Sequence, residues 1–82
     1  MDAIMLENGR VRFMIDNEWL AQYGIDVDHL EARKPYSWDI YEALLTYGEK
    51  KFQVSFDHEF GTYWLFRTGT DTIEMDIKPK AG

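Results

Sequence analysis

The two histidines are the residues whose type and neighbours could support chemistry. His58 lies within the run Asp57-His58-Glu59, and His29 follows Asp28. Because the chain has no cysteine, a metal site would need both imidazoles to converge with a carboxylate. A general base would need one imidazole within reach of a substrate proton. A short polar run between apolar segments is typical of a loop, so both histidines are predicted to be solvated surface residues.

Other catalytic signatures are missing from the sequence. It contains no nucleophile elbow, no GxxxxGK(S/T) phosphate loop and no GxGxxG dinucleotide motif. We therefore expect a protein that is not an enzyme and that holds no cofactor.

Composition limits the class of partner. The chain has 82 residues, which is one domain, and 45% of them are hydrophobic. Fifteen acidic and nine basic residues give a net charge of −6, which repels nucleic-acid phosphates and favours a basic protein partner. The start MDAIMLENGR lacks the basic end and long apolar run of a signal peptide. No apolar run approaches the roughly 20 residues that span a bilayer, so we expect a cytoplasmic domain that binds neither nucleic acid nor membrane.

The first two elements are predicted to form a hairpin. Residues 3–6 are apolar, and Val11, Phe13 and Ile15 form one alternating set in the next segment. Asn8-Gly9 lies between these segments, and both residue types tolerate the positive φ that a two-residue type I′ turn requires. A single bent strand over the same residues is the alternative.

Three short helices are expected next, each with a capping residue before it and a helix breaker after it. They are residues 18–23 between Asn17 and Gly24, 28–33 between Asp26 or Asp28 and Pro35, and 38–47 between Ser37 and Gly48. The third has a wide apolar face that must lie on a sheet. Its Trp38 and Tyr41 are predicted to belong to the core rather than to a contact surface.

Three strands are predicted after the helices, over residues 51–57, 62–68 and 72–78, with a loop at 57–61. In the last strand Ile73, Met75 and Ile77 point inward. Strands at both ends of the chain with helices between them predict an α+β two-layer sandwich. Its antiparallel sheet would have four to five strands with helices on one face, in the order β-β-α-α-α-β-β-β. Residues 1–78 would form the domain, and 79–82 a tail or the start of a linker.

The strand TYWLFRT carries the candidate contact surface. Alternation sends Tyr63, Leu65 and Arg67 to one face of the sheet and Trp64 and Phe66 to the other. If helices cover one face only, large apolar groups remain near solvent, and Tyr, Trp and Arg are common anchors of protein contacts. Tyr63, Trp64, Phe66 and Arg67 are therefore the predicted partner-binding residues. The alternative is that loops or a curled sheet cover both faces.

A set of positions along the chain resembles a known family. They are Met1, Asp2, Ile4, Val11, Arg12, Phe13, Ile15, Gly24, Ile25, Asp26, Leu30, Ser37, Ile40, Tyr41, Phe52, Ile73, Met75 and Ile77. Their types and order are similar to the N-terminal domain of the MecA-type adaptor proteins of Gram-positive bacteria, the negative regulators of genetic competence. The similarity spans nearly the whole chain, and it consists of hydrophobic spacings rather than catalytic signatures.

The resemblance implies a non-enzymatic adaptor. In that family the N-terminal domain captures substrate proteins such as a competence transcription factor, and a separate C-terminal domain docks on the unfoldase ClpC, which feeds the ClpP protease. The implied partners are substrate proteins or peptides, and a ClpC-type unfoldase through a C-terminal domain that these residues do not include. In such a fold an unprotected outer strand can accept an extended peptide by strand addition. The alternative is a small acidic inhibitor, for example phage-encoded, that mimics nucleic-acid phosphates to block a partner protein.

Overall fold

One layer of helices lies on one face of an antiparallel sheet. The computed structural model describes residues 1–59 and 62–80. Its elements are, in chain order, β1 (Asp2–Met5), β2 (Val11–Asp16), α1 (Asn17–Ala21), α2 (Val27–Glu31), α3 (Trp38–Phe52), β3 (Tyr63–Arg67) and β4 (Thr72–Ile77). The four strands form a single sheet in the order β1-β2-β4-β3, and each neighbouring pair is antiparallel. The predicted α+β two-layer fold is confirmed, with the smaller of the two predicted strand numbers.

The core lies between the two central strands and the helices. Phe13 of β2 and Met75 of β4 are directly opposite each other, and both are fully buried. Ile73 and Ile77 are also buried, as their alternation predicted. The helix α3 closes the core with part of its predicted apolar face, namely the buried residues Ile40, Tyr41, Leu44 and Leu45.

β1 and β2 form the predicted hairpin, but its turn differs from the predicted one. Of the Asn8-Gly9 pair, only Gly9 has a positive φ, at 86°. The amide of Gly9 donates to the carbonyl of Leu6, and the amide of Leu6 donates to the carbonyl of Arg10. The loop therefore has three residues and ends in a left-handed glycine, which is the next most common hairpin connection after the two-residue turns. The type I′ prediction is wrong.

The first helix begins at a different cap from the one predicted. Asp16 caps α1, since its Oδ1 accepts from the amide of Trp19 at 2.8 Å. The Oδ1 of Asn17 instead accepts from the amide of Val27 at 2.9 Å, which ties the start of α1 to the start of α2. Asp26, one of the two predicted positions, caps α2.

The third helix is longer than predicted. Ser37 caps α3 as expected, and its Oγ accepts from the amide of Asp39. The helix then runs through Gly48 to Phe52 and ends at Gln53, which has a left-handed conformation with φ of 56°. The predicted strand over residues 51–57 is therefore wrong, because its first residues belong to α3 and the others to an irregular segment.

Gly48 has a packing role in this helix and does not end it. A Cβ atom at Gly48 would lie 2.8 Å from Cζ of Phe13 and 3.1 Å from Cε2 of Phe56. The missing side chain therefore lets α3 approach β2 closely. Phe56, from the irregular segment, is buried beside Phe13, and its amide donates to the carboxylate of Glu49 at 3.0 Å. The alternating apolar residues after α3 thus reflect burial against the core without a strand ladder.

Two predictions at the margins of the fold are only partly covered by the structure. Residues 60 and 61 of the predicted loop at 57–61, and residues 81 and 82 of the predicted tail, lie outside the described residues. The amide of Lys80 donates to the carbonyl of Ser55 at 2.7 Å, so this part of the tail packs back on the domain. Among residues 1–59 and 62–80, no helix combines the length and apolar character needed to cross a membrane.

Replacing Gly48 with alanine is expected to destabilise the domain. The exchange normally stabilises a helix by about 1 kcal/mol, whereas overpacking a core costs about 1–3 kcal/mol. Because the Cβ would meet Phe13 at 2.8 Å, we expect the free energy of unfolding in urea to fall by about 1 kcal/mol. Thr46→Ala, at an exposed position of the same helix, is the control and should be neutral or slightly stabilising. A Gly48→Ala variant as stable as the wild type would contradict the close approach of α3 to β2.

Candidate functional site

The face of the sheet opposite the helices is called the open face here. The strand register places on it the side chains of Ile4 from β1, Arg12 and Met14 from β2, Glu74 and Asp76 from β4, and Trp64 and Phe66 from β3. Two of these apolar side chains are well exposed, Ile4 at 43% and Phe66 at 44%. The prediction that Trp64 and Phe66 share a face is confirmed, and that face is the one without helices.

An ion pair lies at the centre of the open face. Arg12 and Asp76 are opposite each other on β2 and β4. The guanidinium donates from Nε to Oδ1 at 2.8 Å and from Nη2 to Oδ2 at 2.9 Å. Asp76 is only 2% exposed, and the hydrogen bonds to its carboxylate raise the pKa of Arg12 above its ordinary value. A buried carboxylate without a partner would destabilise the fold, so the guanidinium of Arg12 must remain next to Asp76.

Cationic side chains lie over the aromatic residues of β3. The guanidinium carbon of Arg10 is 3.6 Å from the centroid of a Trp64 ring, and that of Arg12 is 5.8 Å from the Phe66 ring. These are cation–π contacts, which orient both rings. Trp64 is half-buried, so Phe66 is the more accessible of the two predicted contact residues on this face.

β3 is an edge strand with a free outer side. Its ladder with β4 includes a bond from the amide of Lys78 to the carbonyl of Thr62. Together with the register, this bond places the even-numbered residues of β3 in hydrogen-bonded pairs, because such pairs alternate in antiparallel ladders. The backbone N–H and C=O groups of Tyr63, Leu65 and Arg67 therefore point away from β4. No strand in the described part of the chain pairs with this side.

The opposite edge of the sheet, along β1, is partly closed by side chains. The amide of Ala3 donates to Oδ1 of Asp2 at 2.8 Å, and its carbonyl accepts from Nζ of Lys51 at 2.8 Å. Lys51 also pairs with Asp2 at 2.7 Å, and its hydrogen bond lowers the pKa of Asp2 to about 2. A lysine at a sheet edge is a common obstacle to pairing with another strand. Of the two outward residues of β1, only Met5 keeps its backbone groups clear of these contacts.

Arg67 is engaged within the molecule. Its Nη1 donates to Asp28 at 2.8 Å and to Glu31 at 3.2 Å, both on α2. Its other nitrogens donate to the carbonyls of Gly69 and Thr70 in the turn before β4. The hydrogen bond to Asp28 is the main reason that the pKa of Arg67 is raised. The geometry therefore gives this predicted partner-binding side chain the role of holding α2 and the turn against β3.

Tyr63 belongs to an aromatic cleft on the helix side of the sheet. The cleft has a volume of about 270 Å³ and is lined by Tyr36, Trp38, Tyr41, Glu59 and Tyr63. The rings of Trp38 and Tyr41 are 5.1 Å apart and tilted by 46°, and those of Tyr41 and Tyr63 are 6.3 Å apart and tilted by 54°. Such tilted rings form a concave wall. The buried hydroxyl of Tyr41 has no hydrogen-bond partner among the described residues.

The prediction that Trp38 belongs to the core is wrong, whereas that for Tyr41 is confirmed. Trp38 is 53% exposed and Tyr41 is 5% exposed. The indole Nε1 of Trp38 donates to the carboxylate of Glu42 at 2.9 Å, which fixes the ring at the first turn of α3. Helical periodicity indicates which side of a helix a residue occupies, but it does not indicate how far the surface packed against that side extends.

The two histidines lie in different environments. Nε2 of His29 is 2.8 Å from the carbonyl of Pro35. His58 lies between two carboxylates of α3, with Nδ1 2.9 Å from Glu42 and Nε2 3.1 Å from Glu49. Within 1–59 and 62–80, no group of three histidine, aspartate or glutamate residues is arranged to hold a metal ion. The prediction that His58 is simply solvated is wrong, because its ring holds the segment after α3 against that helix.

Sequence reasoning missed most of the contacts that shape these sites. Arg12 and Asp76 both occupy outward strand positions, and their opposite charges could have indicated an ion pair. That inference requires the register of β2 and β4, which the sequence alone does not provide. Tyr36 and Glu59 lie in connecting segments, and no local pattern relates them to Tyr63. Alternation did identify the two faces of β3.

Comparisons of the chain with models of protein families, with curated proteins and with solved structures gave no match. The resemblance to the adaptor family stays a prediction. Function is therefore inferred from the open face, the outer side of β3 and the aromatic cleft.

The position of His58 predicts a pH-dependent stability. Hydrogen bonds to Glu42 and Glu49 raise the pKa of His58 above 6.5. The imidazolium of His58 therefore stabilises the fold fully below about pH 6.5, and this stabilisation is lost as the pH rises through the raised pKa. His58→Gln should lower the free energy of unfolding more at about pH 6 than at about pH 9, by at most about 1 kcal/mol because the pairs are partly exposed.

A matched variant identifies the carboxylates that cause the pH dependence of the His58→Gln effect. In Glu42→Gln/Glu49→Gln, the His58→Gln substitution should have nearly the same effect at both pH values. Asp57 and Glu59, which flank His58 in the sequence, remain in this background. If the pH dependence is unchanged in the double variant, Asp57 and Glu59 cause the effect, and the stabilisation of the imidazolium by Glu42 and Glu49 is contradicted. Urea unfolding monitored by tryptophan fluorescence measures each value.

Proposed function

We propose that this chain is a non-enzymatic protein-binding domain that captures an extended segment of a partner by adding it as a strand to the outer side of β3. The observation that carries the proposal is the combination, on one edge strand, of three residues whose backbone groups point outward with three aromatic side chains. Phe66 is exposed, and Tyr63 and Trp64 are half-buried. Extended peptides bind sheet edges through main-chain hydrogen bonds and gain specificity from pockets for alternate side chains.

Both faces beside β3 offer contacts for such a peptide. Side chains of an added strand would alternate between the two faces of the sheet. On the open face they would meet Phe66, which is 44% exposed, and Trp64. On the helix side they would meet Tyr63 at the margin of the aromatic cleft. Tyr63, Trp64 and Phe66 thus remain the proposed contact residues, whereas Arg67 holds β3 against α2 on the helix side of the sheet.

The β3 edge is a better acceptor than the β1 edge. Lys51 and Asp2 already satisfy the outward backbone groups of Ala3. β3 contains neither lysine nor proline, the residues that commonly prevent pairing at sheet edges. Its one charged side chain, Arg67, is turned toward α2.

The distribution of charge favours this proposal over a mimic of nucleic-acid phosphates. A mimic needs free carboxylates concentrated on one surface. Several carboxylates are instead paired, including Asp76 with Arg12, Asp2 with Lys51, and Asp28 and Glu31 with Arg67. The net charge of −6 still favours basic partners and would speed their encounter.

The resemblance to MecA-type adaptors suggests a setting for this activity. In that setting the domain works in the cytoplasm and holds a substrate protein through an extended segment. A C-terminal domain then docks on a ClpC-type unfoldase, which passes the substrate to the ClpP protease. Strand addition suits such a task because main-chain bonds tolerate many sequences, so that one domain can accept different substrates.

Substitution of the two aromatic residues on the open face tests the proposal. Peptides of about 12 residues, selected from a random library on the immobilised domain, serve as the ligands. We expect Trp64→Ala/Phe66→Ala to bind these peptides at least about tenfold more weakly, as is usual for aromatic anchors, while circular dichroism shows a folded domain. Fluorescence anisotropy measures the affinities.

A control variant at the opposite edge distinguishes binding at β3 from nonspecific binding to exposed apolar side chains. Ile4→Ala/Met5→Ala removes two side chains on β1 that are 43% and 41% exposed, and it should leave peptide affinity unchanged. If the β3 variant binds as tightly as the wild type, or if only the β1 variant loses affinity, β3 is not the capture site.

A further inference from the structure

The aromatic cleft combines four aromatic side chains with one carboxylate. Among the described residues, Tyr36, Trp38, Tyr41 and Tyr63 supply the rings, and Glu59 is the one charged residue that lines it. Trp38 is 53% exposed although it is a large apolar side chain at the mouth of the cleft. A single carboxylate among several rings is a poor site for an anion and an incomplete site for a metal ion. Aromatic rings with a nearby carboxylate are instead the usual surroundings of a bound organic cation.

Burial has the largest effect on the pKa values of two tyrosines of the cleft. Burial raises the pKa of Tyr36 to about 12, the neighbouring Tyr63 and Tyr41 add to the rise, and the positive charge of Arg33 opposes it. The pKa of Tyr41 is also raised, first by burial and then by Tyr63 and the carboxylates of Asp57 and Glu42. These tyrosines therefore stay neutral at physiological pH and present the negative faces of their rings.

One wall of the cleft already attracts a cation from within the chain. The guanidinium carbon of Arg33 is 5.7 Å from the centroid of the Tyr63 ring. Arg33 itself is exposed on the segment between α2 and α3, and it does not line the cleft. The contact shows that the geometry at Tyr63 is suitable for a cation–π interaction while the cleft stays open to a ligand.

We propose that the aromatic cleft is a binding site for an alkylammonium group, such as the trimethylammonium of choline or of a methylated lysine side chain. Weakly hydrated cations of this kind lose little on leaving water and gain from contact with several ring faces. Trp38, Tyr41 and Tyr63 provide the concave wall, and the carboxylate of Glu59 balances the charge. This site shares Tyr63 with the proposed capture surface on β3, but it does not depend on strand addition.

The test compares a cation with a neutral molecule of the same shape. Choline and 3,3-dimethylbutan-1-ol differ in that carbon replaces the quaternary nitrogen. Each is titrated into ¹⁵N-labelled protein, and the indole N–H signal of Trp38 is followed by NMR. We expect choline to bind about tenfold or more tightly than the alcohol, which is the size of effect that cation–π contacts give at desolvated sites. Equal affinities would overturn the proposal, because they would indicate an apolar cleft without selectivity for charge.

Variants locate the site and keep the test valid if one of them fails to fold. Trp38→Leu should weaken choline binding about tenfold, whereas Trp64→Leu, on the opposite face of the sheet, should leave it unchanged. Glu59→Gln should also weaken choline binding, because it removes the carboxylate charge. Since Glu59 is exposed and the side chain keeps its size, this variant should fold normally. For these variants binding is followed through the backbone amide signals of α3. Retention of full affinity by both Trp38→Leu and Glu59→Gln would overturn the assignment.

Two ligands distinguish the source of the ammonium group. N-acetyl-trimethyllysine amide and a short peptide containing trimethyllysine are compared with choline. Tighter binding of the peptide supports the site and indicates a methylated protein, whereas equal or tighter binding of choline supports the site and indicates a small molecule. If choline binds no more tightly than the neutral alcohol, the proposal fails whatever the peptide does, and peptide capture by β3 is unaffected.

Discussion

Asp76 lies on a central strand with 2% of its surface exposed, on the face that no helix covers, and its pairing with Arg12 makes that burial tolerable. The bidentate contact joins two directly opposite residues of β4 and β2, and it holds the Arg12 guanidinium in position. Arg12 in turn lies over Phe66, and Arg10 lies over Trp64. A face without a helix layer is thus ordered by a buried charge pair and the rings around it.

This arrangement leaves β3 as the less obstructed of the two sheet edges. β2 and β4 are paired on both sides, and Lys51 obstructs part of β1. The outward backbone groups of β3 have aromatic residues on both faces, Phe66 on one and Tyr63 on the other. A surface of this kind needs no catalytic group to be useful, because main-chain hydrogen bonds and apolar contacts suffice to hold an extended chain. The aromatic cleft adds a site of different chemistry at the same end of β3.

Local patterns in the sequence predicted the elements that depend on local physics. Alternation identified β2 and β4, the cap at Ser37 identified the start of α3, and the two faces of β3 followed from a period of two. The errors arose where tertiary packing decided the outcome. Gly48 was interpreted as a helix end because glycine often has that role, whereas its hydrogen atom makes room for the ring of Phe13. The exposure of Trp38 and the pairing of His58 depend on which distant residues lie opposite, and no single segment contains that information.

Hydrogen exchange along β3 tests most directly the claim that its outer side is free. In the isolated domain, the amides of Tyr63, Leu65 and Arg67 should exchange at close to the rate of unstructured amides. Those of Trp64 and Phe66 should be slow, because the register directs them to β4. The amides of β4, which is paired on both sides, provide the internal reference for slow exchange. Uniformly slow exchange along β3 would mean that its outer side is already covered, and it would contradict the proposed capture of a partner at this edge.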